Sequence, residues 1–294
     1  MIFKGVFTAL ITPFQNDQID YPALYNLLDR QIKAGIDAII IGGSTGEGSS
    51  LLEDEHCELI ASAVKYTKKN VPIVAGVNAV STREVVKKVT TLCKLGVDGL
   101  MCTAPHYIRP EQSGLVAHYK AISEVSNVPI MIYIHPVRTA CDFSDDTLIE
   151  ITKFKNISSV KDATSDLEKP LRILPKVKNF TMLTGNDPSV LSYNANGGVG
   201  CVSVIANILP KLCKKIDDYW RSGDIKSALE LQQKLVPLFS AIFMESNPIG
   251  IKYALAKLKL CSHEIRLPLT PAKQDGISAI DLVLKDLMIM ENNV

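Results

Sequence analysis

The stretch Lys33-Ala34-Gly35-Ile36-Asp37-Ala38 is echoed by Lys94-Leu95-Gly96-Val97-Asp98-Gly99, and Val71-Pro72-Ile73 by Val128-Pro129-Ile130. In the first pair the glycine fits the position just past a helix C-terminus, where a left-handed residue ends the helix before the chain re-enters as a buried parallel strand. Each echo spans about two strand–helix units, so it sets the period of the chain. Working outward, residues 6–12 read as a strand and 21–34 as its helix, with Asp20 as N-cap and Pro22 in the first turn. Strand 38–42 leads through a Gly/Ser-rich loop into helix 54–68, and strand 73–76 into helix 82–95 behind the cap Ser81. Strand 99–103 goes with helix 110–125, 130–133 with 145–154, and 158–161 with 167–177. Units 181–184 with 188–195 and 200–204 with 209–220 bring the total to eight. Eight consecutive units suggest an α/β fold of the (β/α)8 TIM-barrel kind, which needs about 250 residues. An open doubly wound sheet is the alternative.

Past Trp220 the strand signal ends, and residues 224–243, 248–258 and 277–290 read as further helices. The expected organisation is a barrel over residues 1–223 and a C-terminal helical region over 224–294 packed on it, with no linker composition between them. Lysine plus arginine (32) nearly equal aspartate plus glutamate (31), which leaves no electrostatic footprint for nucleic acid or an anionic membrane and favours small-molecule partners. The seven cysteines are scattered and form no C-x-x-C pair, so they read as reduced, mostly core thiols of a cytoplasmic protein. The apolar start from Met1 to Phe14 has no small-residue cleavage pattern and is too short to span a bilayer, so the expectation is a soluble chain.

The run Ile157-Ser158-Ser159-Val160-Lys161-Asp162-Ala163 ends a strand on a lysine with little structural reason to be there. In a barrel, reactive groups gather at the C-terminal ends of strands. Ser44, Thr45, Tyr107, Tyr133 and Arg138 all fall at such ends. The loop Gly42-Gly43-Ser44-Thr45-Gly46-Glu47-Gly48 lets backbone N–H groups approach an anion while two hydroxyls stay available. It is not a P-loop, because Ser49 stands where the phosphate-binding lysine belongs. Any one of these residues taken alone is compatible with surface or packing roles; together they read as a site whose two tyrosines face Lys161. Freeing a lysine amine at neutral pH takes a downward pKa shift of about three units, about 4 kcal/mol, which desolvation can supply. Such an amine attacks a carbonyl to form a Schiff base, tyrosines pass protons and an arginine clamps a carboxylate. The five histidines lack metal-site spacing, so neither metal nor cofactor is expected.

Across GGSTGE (42–47), APHYIRP (104–110), Tyr133 with PVRTAC (136–141), VKDAT (160–164), TGND (184–187), GGVGCVSV (197–204), ESNPIGIKYAL (245–255) and RLPLTP (266–271), the chain resembles the pyruvate-dependent class I aldolase superfamily. Within it, the similarity is to the dihydrodipicolinate synthase family and covers nearly the whole chain. The resemblance implies a homotetrameric barrel that condenses pyruvate with aspartate semialdehyde in diaminopimelate and lysine biosynthesis. It implies that Lys161 forms the Schiff base, that Tyr133 is the main proton donor and acceptor, and that Thr45 with its neighbouring backbone holds the pyruvate carboxylate. Tyr107 would reach in from a neighbouring subunit to complete a hydroxyl relay through Ser44. Arg138 would bind the carboxylate of the second substrate, and the chain around Val202 and Ser203 would line the pyruvate pocket.

Three positions depart from the family pattern: Ser44 stands for threonine, Ile134 for asparagine and His135 for a small apolar residue. Ser44 and Ile134 motivate an alternative, a pyruvate-releasing aldolase of a sugar acid, whereas Arg138 argues for the synthase. A barrel that binds keto acids without turnover is a further alternative, against which Lys161 and both tyrosines argue. Positions matching a lysine-inhibition site in some relatives are Glu53, His56, Val80, Glu84 and His106. Several do not fit it, so weak or absent feedback by lysine is expected.

Overall fold

The computed structural model describes residues 3–293. Among them eight parallel strands close into a barrel: β1 (Gly5–Ala9), β2 (Ala38–Ile41), β3 (Ile73–Val77), β4 (Gly99–Thr103), β5 (Ile130–Ile134), β6 (Ile157–Asp162), β7 (Thr181–Thr184) and β8 (Gly200–Ser203). Phe7 of β1 lies opposite Ala38 on one side and Val202 on the other, so the sheet has no edge and the doubly wound alternative is excluded.

The Gly-Ile-Asp and Gly-Val-Asp echoes have a physical basis. Gly35 (φ +72°) and Gly96 (φ +80°) both take the left-handed conformation. After the helix Tyr21–Lys33, the Ile36 N–H donates to Gln31 O and the Gly35 N–H to Ile32 O, the paired bonds of a Schellman stop. The aspartate two residues past each glycine then serves the neighbouring strand. Asp37 accepts from Val6 N at 2.8 Å and Asp98 from Ile73 N at 2.9 Å, each satisfying a strand-start donor. Asp20 and Ser81 cap their helices as expected, accepting from Ala23 N and Glu84 N.

Strand alternation divides the core in two. Phe3, Phe7, Ile40, Val74, Met101, Met131, Tyr133, Leu183 and Val202 fill the barrel, while Ile130, Ile132 and Ile134 face the surrounding helices. Phe3 thus brings the apolar start of the chain into the barrel; Met1, Ile2 and Val294 lie outside the described residues. Tyr133 is in register with Lys161, and Lys161 with Leu183. Neighbours in register on parallel strands share a face, so Lys161 points inward at the C-terminal rim.

Several elements differ from the sequence reading. The segment 167–177 is a short helix, Lys169–Ile173, followed by a 3-10 turn, Leu174–Lys176, because Pro175 offers no N–H to continue the helical ladder. A hairpin of Phe14–Gln15 with Gln18–Ile19 turns through Asn16 and Asp17, both at positive φ, and was not read from the sequence. Nor was the one-turn helix Pro136–Thr139, which carries Arg138. The C-terminal helices are Ile225–Ile242, Ile249–Lys257 and Gln274–Asn292. The last is fastened to the barrel by Glu291, whose carboxylate accepts from Lys211 N and Leu212 N, both at 2.9 Å, in the first turn of helix Pro210–Ser222. All seven thiols are free; Cys102, Cys141, Cys201 and Cys213 are buried, and Cys57, Cys93 and Cys261 are half-buried.

Candidate active site

At the C-terminal rim, Lys161 is 5% exposed and its Nζ stands 4.0 Å from the centroid of the Tyr133 ring. Among the described residues no carboxylate comes within ion-pairing distance of this Nζ, so the aromatic ring is the amine's close electrostatic partner. Gly185 makes room for the lysine stem: a Cβ there would fall 2.8 Å from Lys161 Cε. Beneath this layer Asp187 is buried and accepts from Val204 N at 2.9 Å, and burial pushes its carboxyl upward. Val202 is fully buried in the barrel interior beside Phe7.

The loop after β2 is held tightly. Gly42 sits at φ +69°, and Cβ atoms at Gly48 and Gly76 would fall 1.9 Å and 2.7 Å from Gly42 O. The glycines therefore serve close backbone packing, and the amides of Glu47 and Gly48 are already donated to Ser44 O and Gly43 O. The Ser44 and Thr45 amides donate to no acceptor among the described residues, so this loop offers the site those N–H groups as well as its hydroxyls. Thr45 is buried, and its Oγ1 accepts from Asn247 Nδ2 at 2.9 Å; Arg138 Nη2 donates to Asn247 O at 2.9 Å. Asn247 thereby joins the glycine loop to the arginine. Ser44, Thr103, Tyr133, His135, Arg138 and Asn247 border one cavity of roughly 270 Å³.

The two tyrosines do not both face Lys161. Tyr107 is 87% exposed and projects away from the cavity. The reason is local: Ile108 N donates to His106 O at 2.9 Å around Tyr107 at φ +75°, a three-residue turn of the rare, strained kind that throws the central side chain outward. Tyr133 alone lies against the lysine within one chain.

Asn247, Glu47 and Lys252 were not read from the sequence as site participants, and His135 entered that reading only as a departure from the family pattern. Asn247 belongs to the quoted ESNPIGIKYAL segment, where the Asn-Pro step was the available signal. His135 borders the cavity with its ring 5.8 Å from that of Tyr133, and burial, aided by Arg138 and Lys161, pushes its pKa down to about 4. Glu47 and Lys252, each 1% exposed, form a buried ion pair behind the glycine loop. Lys252 Nζ also donates to Glu264 O at 2.8 Å and lies 4.2 Å from the Phe14 ring centre, while Glu47 accepts from Arg266 N at 3.0 Å. Burial lowers the Lys252 pKa and Glu47 opposes that shift. Three of the five residues matching a regulatory site are otherwise engaged: Glu53 pairs with Lys87, Glu84 with Lys88, and His56 is buried beneath Gly42.

A buried amine beside a phenol, with hydroxyls on one wall and a guanidinium on another, is equipped to form an imine with a small keto acid and to relay its protons. Residues 2–287 match the Dihydrodipicolinate synthetase family. The chain is 45% identical over 289 residues to the 4-hydroxy-tetrahydrodipicolinate synthase of Rickettsia bellii, covering 98% of each. It is similar to the solved 4-hydroxy-tetrahydrodipicolinate synthase of Methylacidiphilum fumariolicum, with a TM-score of 0.96, 33% identity and 99% of both chains covered. It is also similar to the chloride-inhibited dihydrodipicolinate synthase of Acinetobacter baumannii solved with pyruvate, at TM-score 0.94 and 34% identity, covering 97% of this chain and 99% of that one. Architecture, rim chemistry and similarity along nearly the whole length agree, and the chain belongs to the dihydrodipicolinate synthetase family.

Proposed function

We propose that this chain is a lyase that condenses pyruvate with L-aspartate 4-semialdehyde through a Lys161 Schiff base to give 4-hydroxy-tetrahydrodipicolinate, on the route to diaminopimelate and lysine. The observation that carries this reading is the buried Lys161 amine, unpaired with any carboxylate among the described residues and set against Tyr133 at the rim of the barrel. The amine attacks the keto carbon of pyruvate and water leaves as the imine forms. Tyr133 carries the protons of that step. Loss of a methyl proton gives the enamine, whose carbon attacks the aldehyde of the second substrate. The amine of that substrate then displaces Lys161, which closes the ring and frees the enzyme.

Thr45 with its neighbouring backbone is assigned to the pyruvate carboxylate, with Val202 lining the pocket. Arg138 is assigned to the carboxylate of the semialdehyde as a charge-assisted clamp. Ser44 is assigned to a relay completed by Tyr107 of a neighbouring subunit, a role supported by the outward, strained placement of Tyr107. That assignment needs at least two subunits, and the working form we propose is the homotetramer implied by the family resemblance. No helix among the described residues is long and apolar enough to cross a membrane, and the proposed place of work is the cytoplasm. Lysine inhibits weakly or not at all on this reading.

The test is pyruvate consumption by the purified protein with and without the semialdehyde, beside borohydride trapping of a pyruvate adduct. Consumption that depends on the aldehyde, lost by on the order of 10³-fold or more in Lys161→Ala, is the expected result. Trapping without aldehyde-dependent consumption would overturn the synthase reading in favour of a pyruvate-releasing aldolase of a sugar acid.

A further inference from the structure

Two residues bordering the cavity beside Tyr133 each carry a hydrogen-bonding atom that none of the described residues satisfies: His135 Nδ1 and Asn247 Oδ1 are both buried and without a partner. Buried polar atoms are normally paired, and an unpaired one in a cavity marks a place where a ligand atom completes the bond. His118 also keeps a buried ring nitrogen, Nε2, without a partner among the described residues, but it does not border the cavity, and its Nδ1 lies 2.9 Å from Thr82 Oγ1. The His56 ring packs against the backbone of Gly42 and Gly76. His135 is set apart by bordering the cavity, and its backbone does the structural work. Its carbonyl accepts from Arg138 N, Thr139 N and Thr139 Oγ1, which fixes the start of the turn and leaves the ring to the cavity.

The same turn presents Arg138, and Arg138 Nη2 is bonded to the backbone of Asn247. The two residues that carry the orphan atoms therefore border the same cavity as Arg138. A neutral imidazole in its Nε2–H form offers a lone pair at Nδ1, and an amide oxygen offers another. Glu47, the carboxylate on this wall, is engaged by Lys252 and by Arg266 N. A ligand suited to this arrangement has a carboxylate for Arg138 and, next to it, a primary ammonium for the two acceptors. That is the α-amino acid end of the second substrate.

We infer that His135, with Asn247, forms a subsite for the α-ammonium group of the second substrate, and that His135 is a specificity-determining residue for amine-bearing aldehydes. The inference rests on the synthase reading given above. The hydrogen bond to Nδ1 holds the substrate amine by its proton, and that amine is the group that later attacks to release Lys161. Docking it beside the guanidinium fixes which face of the aldehyde meets the enamine.

The experiment compares wild type, His135→Val and His135→Asn on two ligands, L-aspartate 4-semialdehyde as substrate and 4-oxobutanoate, its analogue lacking the amine, as a competing aldehyde. Expected is an increase of about tenfold in the KM for the semialdehyde in His135→Val. The KM for pyruvate and the inhibition by 4-oxobutanoate should be unchanged, and His135→Asn, which keeps an acceptor at the δ position, should recover most of the loss. A KM for the semialdehyde within twofold of wild type in His135→Val, or an equal weakening of 4-oxobutanoate, overturns the inference while leaving the synthase reading intact. Absence of aldehyde-dependent turnover in the wild type instead overturns the synthase reading, and the subsite with it.

Discussion

Replacing Lys252 by methionine tests whether the buried pair behind the glycine loop holds the site together. The substitution keeps an unbranched chain of similar volume but removes the ammonium, so Glu47, 1% exposed, retains only the Arg266 N–H at 3.0 Å. Breaking a buried ion pair from one side costs about 3–5 kcal/mol, because the remaining charge is left without compensation. The lost contact with the Phe14 ring, 4.2 Å from Nζ, falls within that figure. Against a total stability of about 5–15 kcal/mol this is a large fraction. The double variant Glu47→Gln/Lys252→Met removes both charges and should regain most of the loss, giving a coupling of about 2 kcal/mol in the double-mutant cycle. Urea unfolding followed by circular dichroism at fixed protein concentration supplies all four values. Because Glu47 lies two residues beyond Thr45, at φ +52°, the single variant should also raise the KM for pyruvate. A cost below about 1 kcal/mol for Lys252→Met, or strictly additive effects, would refute the reasoning.

Three further outcomes are expected. Gly185→Ala places a methyl 2.8 Å from Lys161 Cε and should lower turnover by on the order of 10²-fold, with an unfolding midpoint near that of wild type; undiminished turnover would contradict the role given to this gap. Tyr107→Phe should slow turnover by about 10²-fold, and mixing it with inactive Lys161→Ala subunits should restore activity in hybrids. Hybrids that stay inactive would show that Tyr107 does not act across a subunit boundary. Burial lowers the His118 pKa from 6.5 to about 4, so the unfolded chain takes up this proton at a higher pH than the folded one. Stability is lost as pH falls from 6.5 toward 4, by about 2 kcal/mol between pH 7.5 and 5 for this residue alone. His118→Gln should lose that much less over the interval, and equal losses in both proteins would count against the assignment.

The sequence alone determined the barrel, because its evidence is local and repeated. A helix stop at Gly35 and Gly96 and an aspartate that bonds the next strand are short-range devices written in consecutive residues. Placement of Lys161, Tyr133, Ser44, Thr45 and Arg138 at strand ends follows from the same period, since in a barrel every strand end meets the others at one face. Departures from the reading arose where one residue overrode the local pattern. Pro175 cut a helix short, and the strained turn at Tyr107 sent outward a side chain that strand position alone would have aimed at the lysine.

What the tertiary structure decided was the company those residues keep. Asn247 lies 202 residues from Thr45 along the chain and still donates to its hydroxyl. Glu47 finds Lys252 across a comparable span, and Arg266 reaches Glu55 and Asp17 from the far end of the sequence. Nothing in spacing or periodicity encodes such pairings, because each side chain alone is an ordinary polar residue in a loop or helix. They exist because ring closure brings the C-terminal helical region over the mouth of the barrel, where burial turns an isolated charge into a cost and a matched pair into a constraint. The unpartnered nitrogen of His135 belongs to the same class: its residue type could be read from the sequence, but its burial without a partner beside the cavity was set by the fold.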